Sequence, residues 1–427
     1  MNRVLVVGGG GREHALVRAL LRSPQRPALL CAPGNAGIAR DIECAGVPAD
    51  DVEALVRLAQ ERSADLVVVG PEAPLVAGLV DALAEAGVAA FGPTAAAARL
   101  EGSKAYAKEL MRQVGVPTAS HVVLRDRDEA LDHLACASYP AVLKADVLAA
   151  GKGVIIAPDE REARQAVDAF FTERRFGDTE VVLEEFLEGE ELSLLALCDG
   201  ERAVPLAPAQ DYKRIRDGDE GPNTGGMGSY SPVPGIDREH ARAITQAIHQ
   251  PVVDELRRRG TPCHGVLYAG LMMTADGPKV LEFNCRFGDP ETQAVLPRLR
   301  SDLLELLESS VRPGGLAGAE PEWSPDWAVT VVLASGGYPA SSSKGDEILG
   351  LDALDSLDVE VLHAGTADRD GRIVTDGGRV LSITGIGATP AEARERAYAA
   401  AEGVEFEGRQ MRTDIALRAV ERVEARA

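Results

Sequence analysis

The chain has 427 residues, more than a single hydrophobic core holds, so we expect roughly two to four packed units. Its 45 Lys and Arg residues stand against 67 Asp and Glu residues, and the net charge of −22 disfavours nucleic acid and anionic membranes as partners. The six scattered cysteines have no zinc-like spacing, and no apolar run reaches the ~18 residues of a membrane span. Because the N-terminus also lacks a signal-peptide pattern, we expect a cytoplasmic protein with free thiols.

Short apolar runs alternate with amphipathic segments at the start of the chain, as in a parallel α/β sheet. The predicted strands are Val4–Val7, Ala28–Cys31, Leu66–Val69 and Val88–Phe91, and the predicted helices are His14–Leu21, Val52–Arg62 and Leu75–Ala86. The strands end in the loops GGGGRE, APGNAG, GPEAPL and FGPT. Because ligands bind beyond the carboxyl ends of such strands, these loops predict a site.

A second, strand-rich unit is predicted from about Gly102 onwards. Its predicted elements are helix Lys104–Val114, strands Ala141–Ala145, Val154–Ala157, Val181–Phe186, Leu192–Cys198, Leu267–Met273 and Lys279–Phe283, and helix Arg238–Arg258. The glycine-bearing turn between Ala145 and Gly153 is typical of a mobile hairpin lid.

The segment Pro313–Asp326 is interpreted as a linker to a separate α+β tail domain. The tail is predicted to contain strands Ala328–Ala334, Val359–Ala364 and Val380–Gly385, and helix Pro390–Gly403. We therefore expect domains at residues 1–101, at 102–312 with a lid subdomain at about 118–190, and at 327–427.

The segment KVLEFNCRFGDPETQ at Lys279–Gln293 carries the strongest chemical signal. Side chains on a strand repeat every two residues, so Glu282 and Asn284 share a face. Two oxygen ligands suit Mg²⁺, which completes its shell with water and phosphate. Arg286 offers a guanidinium fork to phosphate or carboxylate. Glu-x-Asn alone also fits a solvated edge strand, but the polar turn that follows favours a ligand site.

Two glycine-rich segments resemble nucleotide motifs without matching them. In GGGGREH the third position of G-x-G-x-x-G falls on Glu13, so a nicotinamide site is disfavoured, and a general phosphate site or a tight turn remains. In DVLAAGKGV, Lys152 precedes Gly153 instead of Ser or Thr, which excludes a P-loop. A small-residue turn with a lysine still suits a lid over phosphates, and Lys104 and Lys144 are further candidate phosphate ligands.

Two other segments fit ligand sites. VVLEEFLEGEE places an apolar hinge before a carboxylate cluster, which suits adenine and ribose but is also typical of a solvated face. GPNTGGMGS is rich in glycine, as expected where a ligand approaches the backbone. The histidines and serines form no recognisable triad.

Taken in order, GGGGREHAL, APGNAG, GPEAPL, FGPT, EGSK, AAGKGV, EEFLEGEE, QDYKR, GPNTGGMGSYSP and EFNCRFGDPETQ resemble the phosphoribosylamine–glycine ligase family of the ATP-grasp superfamily. The likeness runs from about Arg3 to about Leu417. It implies an N-terminal open parallel sheet domain, a two-part ATP-grasp α+β core with a mobile lid, and a small C-terminal α+β domain. It also implies ATP, Mg²⁺ or Mn²⁺, glycine and 5-phosphoribosylamine, a glycyl phosphate intermediate, and the second step of purine synthesis in a monomer or weak homodimer.

The resemblance also implies residue roles. Glu282 and Asn284 would hold the metal, and Arg286 and Lys144 would act in catalysis. The implied ATP-binding residues are Lys104, Lys144, Lys152, Glu184, Glu185, Phe186, Leu187 and Glu190. The implied substrate-binding residues are Gly10, Gly11, Glu72, Asp211, Asn223, Thr224, Gly225, Gly226, Arg286 and Asp289.

Three positions depart from the family pattern. Val147 replaces a lid glycine, and a β-branched residue there is expected to stiffen or bend the hairpin. Ala416 replaces the glycine of R-x-DIG, with little expected effect. The strand LYAGLMM lacks the acidic residue that many ATP-grasp enzymes place before the Glu282 strand. Two alternatives stay open: a related ligase that uses bicarbonate or formate, and a nucleotide-binding regulatory module without catalysis.

Overall fold

The computed structural model describes residues 2–148, 153–354 and 356–425. Its N-terminal part is a parallel sheet with the strand order β3-β2-β1-β4-β5. The strands are β1 Arg3–Gly8, β2 Ala28–Pro33, β3 Glu43–Cys44, β4 Leu66–Val69 and β5 Ala90–Phe91. The helices around them are α1 Gly11–Leu21, α2 Ile38–Asp41, α3 Val52–Glu61, α4 Glu72–Val76, α5 Leu79–Glu85 and α6 Ala95–Gly102. Parallel pairing confirms that the strand-end loops share one edge.

The continuous apolar sequences of β1 and β4 are explained by burial on both faces of this sheet. One predicted helix, Leu75–Ala86, is wrong as a single element. Gly78 has φ +87 and separates α4 from α5, because the left-handed conformation interrupts the helical hydrogen bonds. The last strand is also two residues shorter than predicted.

The next part is an antiparallel sheet in the order β6-β9-β7-β8, which packs against two helices around its own apolar core. Its elements are α7 Lys104–Val114, β6 His121–Leu124, α8 Arg127–Leu134, β7 Ala141–Ala145, β8 Val154–Ala157, α9 Glu160–Val167 with a π-helical turn at Asp168–Thr172, and β9 Val181–Glu185. Strands β7 and β8 form the predicted hairpin. Its tip at 149–152, which includes Lys152, lies outside the described residues.

A second antiparallel sheet, in the order β11-β10-β16-β17, carries the Glu-x-Asn strand. Its strands are β10 Glu190–Asp199, β11 Ala203–Pro205, β16 His264–Thr274 and β17 Gly277–Asn284. Between them lie β12 Gln210–Asp211, β13 Arg214–Arg216, a 3₁₀ turn Asp217–Asp219, β14 Glu220–Asn223, β15 Gly228–Ser231, α10 Arg238–Ile244 and α11 Gln250–Arg258. A π-helical stretch, Thr245–His249, joins α10 to α11, so the predicted helix 238–258 is continuous but not uniform.

After β17 the chain forms α12 Glu291–Val295, a 3₁₀ turn Leu296–Arg298 and α13 Leu303–Ser310. It ends with β18 Trp327–Ala334, α14 Leu351–Leu354, β19 Val359–His363, β20 Thr366–Arg369, β21 Arg372–Thr375, β22 Arg379–Gly387, α15 Pro390–Glu402 and α16 Leu417–Glu424. The C-terminal sheet has the order β12-β15-β18-β22-β19. Strand β15 from the preceding part of the chain pairs with β18 and extends the sheet of the tail.

Val147 and Ala416, which stand where the family pattern has glycine, differ in backbone conformation. Val147 is not among the positive-φ residues, so its β-branched side chain causes no strain of that kind. Ala416 has φ +62 directly before α16, a left-handed conformation that costs an alanine about 1 kcal/mol. None of the described helices has the length and apolarity that crossing a bilayer requires.

Candidate active site

A cavity of about 270 Å³ is lined by residues from all three parts of the chain. Nine predicted site residues line it: Glu72, Lys104, Asp211, Thr224, Gly225, Glu282, Asn284, Arg286 and Asp289. Ten other predicted residues that the structure describes lie outside this lining: Gly10, Gly11, Lys144, Glu184, Glu185, Phe186, Leu187, Glu190, Asn223 and Gly226. The lining spans distant positions of the chain, so only the fold brings it together.

Glu282 and Asn284 project from one face of β17 into the cavity, as the two-residue repeat predicts. The neighbouring strand β16 places Gly270 opposite Glu282 and Tyr268 opposite Asn284. A Cβ atom added at Gly270 would lie 3.5 Å from Glu282 Cγ, an ordinary van der Waals contact, so the backbone of β16 is not crowded against this side chain. The pair presents a carboxylate and an amide oxygen to one space.

Lys213 lies beside the Glu282 carboxylate, with Nζ 3.8 Å from Glu282 Oε1. Burial opposes ionisation of Glu282, but Lys213 and then Lys144 outweigh it and lower the pKa of Glu282. The carboxylate is therefore charged at neutral pH, and about a third of its side chain is exposed. A charged, accessible carboxylate beside an amide oxygen is a donor set that fits a hard divalent cation. The part of the chain that the structure describes has no cluster of three or more His, Cys, Asp or Glu residues arranged for a metal.

Arg286 lies at the end of β17 and is held by two carboxylates. Its Nε is 3.1 Å from Glu72 Oε2, and its Nη2 is 3.1 Å from Glu101 Oε1 and 3.3 Å from Asn284 Oδ1. Burial opposes the charge, but Glu101 and Glu72 prevail and raise the pKa of Arg286. The guanidinium is therefore fixed beside Asn284, where it also contacts Glu72 and Glu101 of the N-terminal part.

The two carboxylates that hold Arg286 titrate differently. Burial raises the pKa of Glu101, whose other oxygen accepts the Cys285 N–H at 2.7 Å. For Glu72 burial is outweighed by Arg286 and Arg12, which lower its pKa to about 2. Glu72 therefore keeps its charge in mild acid.

The candidate phosphate lysines are held by the protein. Lys104 Nζ donates to the carbonyls of Ala145 and Val147, both at 3.0 Å, and lines the cavity. Lys144 Nζ instead donates to Leu281 O at 3.0 Å and lies 3.1 Å from Glu184. Lys144 is buried and does not line the cavity, but it contacts β17, the strand that carries Glu282 and Asn284.

Glu184 precedes the predicted adenine hinge and is buried on β9. One oxygen, Oε2, lies 2.8 Å from Lys108 Nζ, while Oε1 has no hydrogen-bond partner in the described structure. A buried acceptor without a donor is costly, so it is a natural point for a ligand N–H. In the hinge itself, Phe186 is exposed and Leu187 is buried.

The two flanking glutamates of the hinge form ion pairs. Glu185 accepts the Ser120 N–H at 2.9 Å and lies 3.6 Å from Lys279 Nζ. Glu190, the predicted ribose ligand, receives both Nη groups of Arg422 on helix α16. The C-terminal helix α16 therefore contacts the ATP-grasp part at the predicted ribose ligand.

The loop at 223–226 is tied to the turn after β17 by Arg379. Arg379 Nη1 donates to Gly225 O at 2.5 Å and to Asp289 O at 2.7 Å, and Nη2 lies 3.0 Å from Asp289 Oδ2. Gly226 has φ +109, and a Cβ there would lie 2.4 Å from Pro290 Cδ, so this position requires glycine. Asn223 lies on β14, opposite Arg214.

On the other side of the cavity, Asp211 and Lys213 adjoin Glu291. Asp211 Oδ2 is 3.7 Å from Lys213 Nζ, and Glu291 Oε1 accepts the Tyr268 hydroxyl at 3.0 Å. Burial raises the pKa of both Asp211 and Glu291. These acids form a buried polar wall within the cavity.

The loop after β1 is partly closed by its own helix. The Gly10 N–H donates to Glu13 Oε2 at 2.7 Å, so Glu13 already satisfies one donor of the predicted phosphate loop. Asn35 joins this loop to the tail, because its Nδ2 donates to Gly9 O at 2.9 Å and to His363 O at 2.8 Å. Gly10 and Gly11 therefore lie at a junction of two domains.

The sequence interpretation assigned no role to several residues that line the cavity: Arg12, Glu101, Lys108, Lys213, Tyr268, Glu291 and Arg379. Five of them lie inside motifs that match the family pattern, namely GGGGREHAL, EGSK, QDYKR, EFNCRFGDPETQ and, in the tail, GGRVLSITG. A charged residue inside a recognised motif was therefore an available signal. For Tyr268 and Lys108, no sequence signal distinguished them from packing or surface residues.

The chain matches three family models in sequence order. These are the N domain of phosphoribosylglycinamide synthetase at residues 2–101, its ATP-grasp (A) domain at 102–292 and its C domain at 328–418. The phosphoribosylamine–glycine ligase of Streptomyces coelicolor is 53% identical over 421 residues, covering 98% of this chain and 99% of that protein.

Solved structures give the same result. The crystal structure of phosphoribosylamine–glycine ligase from Thermotoga maritima has a TM-score of 0.82 at 36% identity and covers 97% of this chain and 100% of that chain. The biotin carboxylase domain of Hydrogenobacter thermophilus 2-oxoglutarate carboxylase, solved with magnesium ADP and bicarbonate, has a TM-score of 0.71 at 18% identity, over 96% of this chain and 91% of that chain. The latter likeness concerns the fold alone. The family resemblance is thus confirmed: the chain belongs to the phosphoribosylamine–glycine ligases of the ATP-grasp superfamily.

Proposed function

We propose that this ligase joins glycine to 5-phosphoribosylamine through a glycyl phosphate formed in the cavity, yielding glycinamide ribonucleotide, ADP and phosphate in the second step of purine synthesis. One observation carries the proposal. Glu282 and Asn284 present two oxygens to a space that residues of all three family-matched segments line. A reaction of three substrates requires such a shared space, because their reacting atoms must lie within contact distance.

The donor set supports Mg²⁺ or Mn²⁺ at Glu282 and Asn284. When bound there, the cation neutralises charge on the transferring phosphoryl group. Lys213 lies 3.8 Å from Glu282, and its positive charge favours the ionised carboxylate that such a cation needs. Asn284 also accepts a hydrogen bond from Arg286, which orients its amide oxygen.

The contacts around β9 support an ATP site. We assign to Glu184 Oε1, which has no hydrogen-bond partner in the described structure, an N–H of adenine, and Glu185–Leu187 would supply the hinge backbone. Glu190 would accept hydrogen bonds from the ribose hydroxyls, either while it keeps its ion pair with Arg422 or after that ion pair breaks. Lys104, which lines the cavity, and Lys144, which lies behind it, would compensate phosphate charge, as would Lys152 of the lid.

The remaining groups position the glycine carboxylate and the amine. Activation requires no side-chain nucleophile, because the glycine carboxylate itself attacks the γ-phosphorus atom. Arg286 and Arg379 would provide fixed positive charge for this carboxylate, and Asp289 is held between Arg379 and Gln293. Asp211, whose pKa burial raises, is a suitable acceptor for the proton that the attacking amine loses.

The predicted contacts of 5-phosphoribosylamine belong to the same proposal. Glu72, Thr224 and Gly225 line the cavity. Gly10 lies near it, because a Cβ atom added there would be 3.6 Å from Oδ2 of Asp289. We assign this part of the cavity to the phosphoribosyl group and residues 1–101 to its domain. A cytoplasmic monomer or weak homodimer with no nucleic-acid partner agrees with the net charge of −22.

The path of one oxygen atom tests the acyl phosphate. Glycine labelled with ¹⁸O in its carboxylate is turned over with ATP and 5-phosphoribosylamine, and the released phosphate is analysed by mass. The proposal predicts one labelled oxygen in each phosphate, because the P–O bond formed in activation stays intact when the amine displaces phosphate. Unlabelled phosphate would overturn it. Turnover with bicarbonate or formate but not glycine would instead favour a related ligase.

A further inference from the structure

Cys31 and Cys44 face each other on neighbouring strands at the edge of the N-terminal sheet. They are paired positions in the parallel register of β2 and β3, so both side chains point to the same side. Neighbouring strands lie about 4.7–4.9 Å apart, within the Cα separation of about 4.4–6.8 Å that a disulfide spans. Both sulfurs also lie near Gly34, at 2.4 Å (Cys44) and 3.7 Å (Cys31) from the position of a Cβ added there.

The two thiols differ in access. Cys31 is fully buried and donates to Gly8 O at 3.3 Å, whereas Cys44 is partly exposed on the short edge strand β3. The proximity of the two thiols lowers the pKa of Cys44 and, together with burial, raises the pKa of Cys31. This asymmetry gives one sulfur the character of an accessible thiolate and the other that of a protected partner.

The pair lies directly beneath two strand-end loops. Gly34 packs on Cys44, its N–H donates to Gly8 O at 3.1 Å, and a Cβ at Gly9 would lie 2.4 Å from Gly34 O. The next residue, Asn35, bonds to Gly9 O and to His363 O. Movement of the sulfurs is therefore passed on to the loop at Gly8–Gly11 and to its contact with the tail.

We propose that Cys31 and Cys44 are a redox modification site, which hydrogen peroxide oxidises to an intramolecular disulfide. The Cys44 thiolate attacks peroxide, the O–O bond breaks, and a sulfenic acid and hydroxide form. The Cys31 sulfur then displaces the hydroxyl group as water, and the S–S bond forms. The pair loses two electrons and two protons in total, and one peroxide becomes two waters. A small dithiol reverses the reaction by exchange.

The disulfide changes the shape of the loops above it. An S–S bond is about 2.05 Å long, so both sulfurs must move toward each other beside Gly34. The loops at Gly8–Gly11 and Gly34–Gly37 then shift, and the affinity of the enzyme for 5-phosphoribosylamine falls. This consequence rests on the proposed function, whereas formation of the bond does not. ATP binds on the opposite side, so its KM should be unaffected.

The chain contains two matched controls. Cys198 and Cys263 are also neighbouring thiols, but both are fully buried, so peroxide should not reach them. Cys136 is exposed without a neighbouring thiol, so it reports general surface oxidation. A disulfide confined to Cys31 and Cys44 therefore identifies the effect of their geometry.

The test uses the full chain, treated with hydrogen peroxide and digested without reduction. We expect a cross-linked peptide pair containing Cys31 and Cys44, a rise of about tenfold in the KM for 5-phosphoribosylamine, an unchanged KM for ATP, and full reversal by dithiothreitol. In Cys44→Ser, peroxide should leave the KM for 5-phosphoribosylamine unchanged. In Cys136→Ser, peroxide should raise this KM as it does in the unmodified chain. Cys31→Ala, a second variant, should form sulfenic acid at Cys44 without the cross-link.

Two free thiols after peroxide treatment, or oxidation of Cys44 without a cross-link in the unmodified chain, would overturn the modification site. A cross-link that leaves the KM for 5-phosphoribosylamine unchanged would overturn its coupling to the loops. If the reduced enzyme does not use 5-phosphoribosylamine at all, the proposed function fails, and the cross-linked peptide still decides the redox site.

Discussion

Arg286 Nε lies 3.1 Å from Oε2 of Glu72, so the residue just beyond β17 is bound to the first residue of helix α4. The two residues belong to different family-matched segments. Glu101 holds the same guanidinium from helix α6. This ion cluster fixes the N-terminal sheet against the strand that carries Glu282 and Asn284, and it defines one wall of the cavity.

Glu72→Gln should lower stability in a pH-dependent way. The folded-state pKa of about 2 lies below the ordinary 4.5, so the stabilising effect is complete above pH 4.5 and is lost as pH falls toward 2. Breaking a buried pair costs about 3–5 kcal/mol, but Arg286 keeps Glu101, so we expect a loss of about 2 kcal/mol at pH 7. Urea unfolding at pH 7 and at pH 3 measures it, and the difference between variant and unmodified chain should shrink in acid.

The control is Glu53→Gln on helix α3, where an exposed glutamate lies 3.7 Å from Arg57. Exposed pairs contribute about 0–1 kcal/mol, so this variant should unfold as the unmodified chain does. An equal loss of stability for Glu72→Gln at both pH values would contradict the account.

Glu282→Gln should reduce turnover by on the order of 10²-fold or more, because an amide cannot supply the negative charge that binds a divalent cation. The measurement is steady-state ADP release at saturating substrates over a range of Mg²⁺ concentrations. The variant should also require more Mg²⁺ for half-maximal activity.

Glu191→Gln is its matched control, because Glu191 lies 3.7 Å from the same Lys213 Nζ without lining the cavity. If both variants lose activity equally, the charge balance of Lys213 matters and the metal assignment of Glu282 fails.

Lys104→Met should raise the KM for ATP about tenfold and leave the KM for glycine unchanged, since one phosphate charge loses its partner. The variant also frees the carbonyls of Ala145 and Val147, which Lys104 now holds. Initial rates at varied ATP measure the effect. Lys344→Met, an exposed lysine of the tail paired with Asp376, should change neither constant. A change confined to the glycine KM would disprove the phosphate role.

Arg379→Met should raise the KM for glycine or 5-phosphoribosylamine, because Gly225 O and Asp289 lose their common donor. Removing charged hydrogen bonds of this kind costs about 1.5–3 kcal/mol, which corresponds to roughly a tenfold to hundredfold change. Substrate-saturation curves for each of the three substrates show which KM has changed. Arg372→Met changes an exposed arginine of the same domain and serves as the control. An increase limited to the ATP KM would contradict this assignment.

Sequence patterns predicted the local features well. Strands β1, β4, β7 and β8 lie within two residues of their predicted bounds, because apolar runs between turn residues determine them locally. The face shared by Glu282 and Asn284 follows from the strand repeat alone. Leu75–Ala86 failed because a single Gly78 turn interrupts a pattern that is periodic on both sides.

Long-range contacts could not be predicted in this way. Glu101 bonds to Cys285, 184 positions later, and Arg379 bonds to Asp289, 90 positions earlier. The strands Gln210–Asp211 and Gly228–Ser231 are too short for a periodic signal, and their pairing with the tail depends on tertiary packing. The ion cluster around Arg286 and the C-terminal sheet that includes β15 therefore cannot be predicted from local sequence patterns.

The most direct test of the account is ADP release by the full chain with ATP and Mg²⁺, in reactions that contain glycine alone, 5-phosphoribosylamine alone, both, or neither. The account predicts rapid ADP release only with both substrates, and its loss in Glu282→Gln. ADP release that is independent of glycine or of 5-phosphoribosylamine would contradict it.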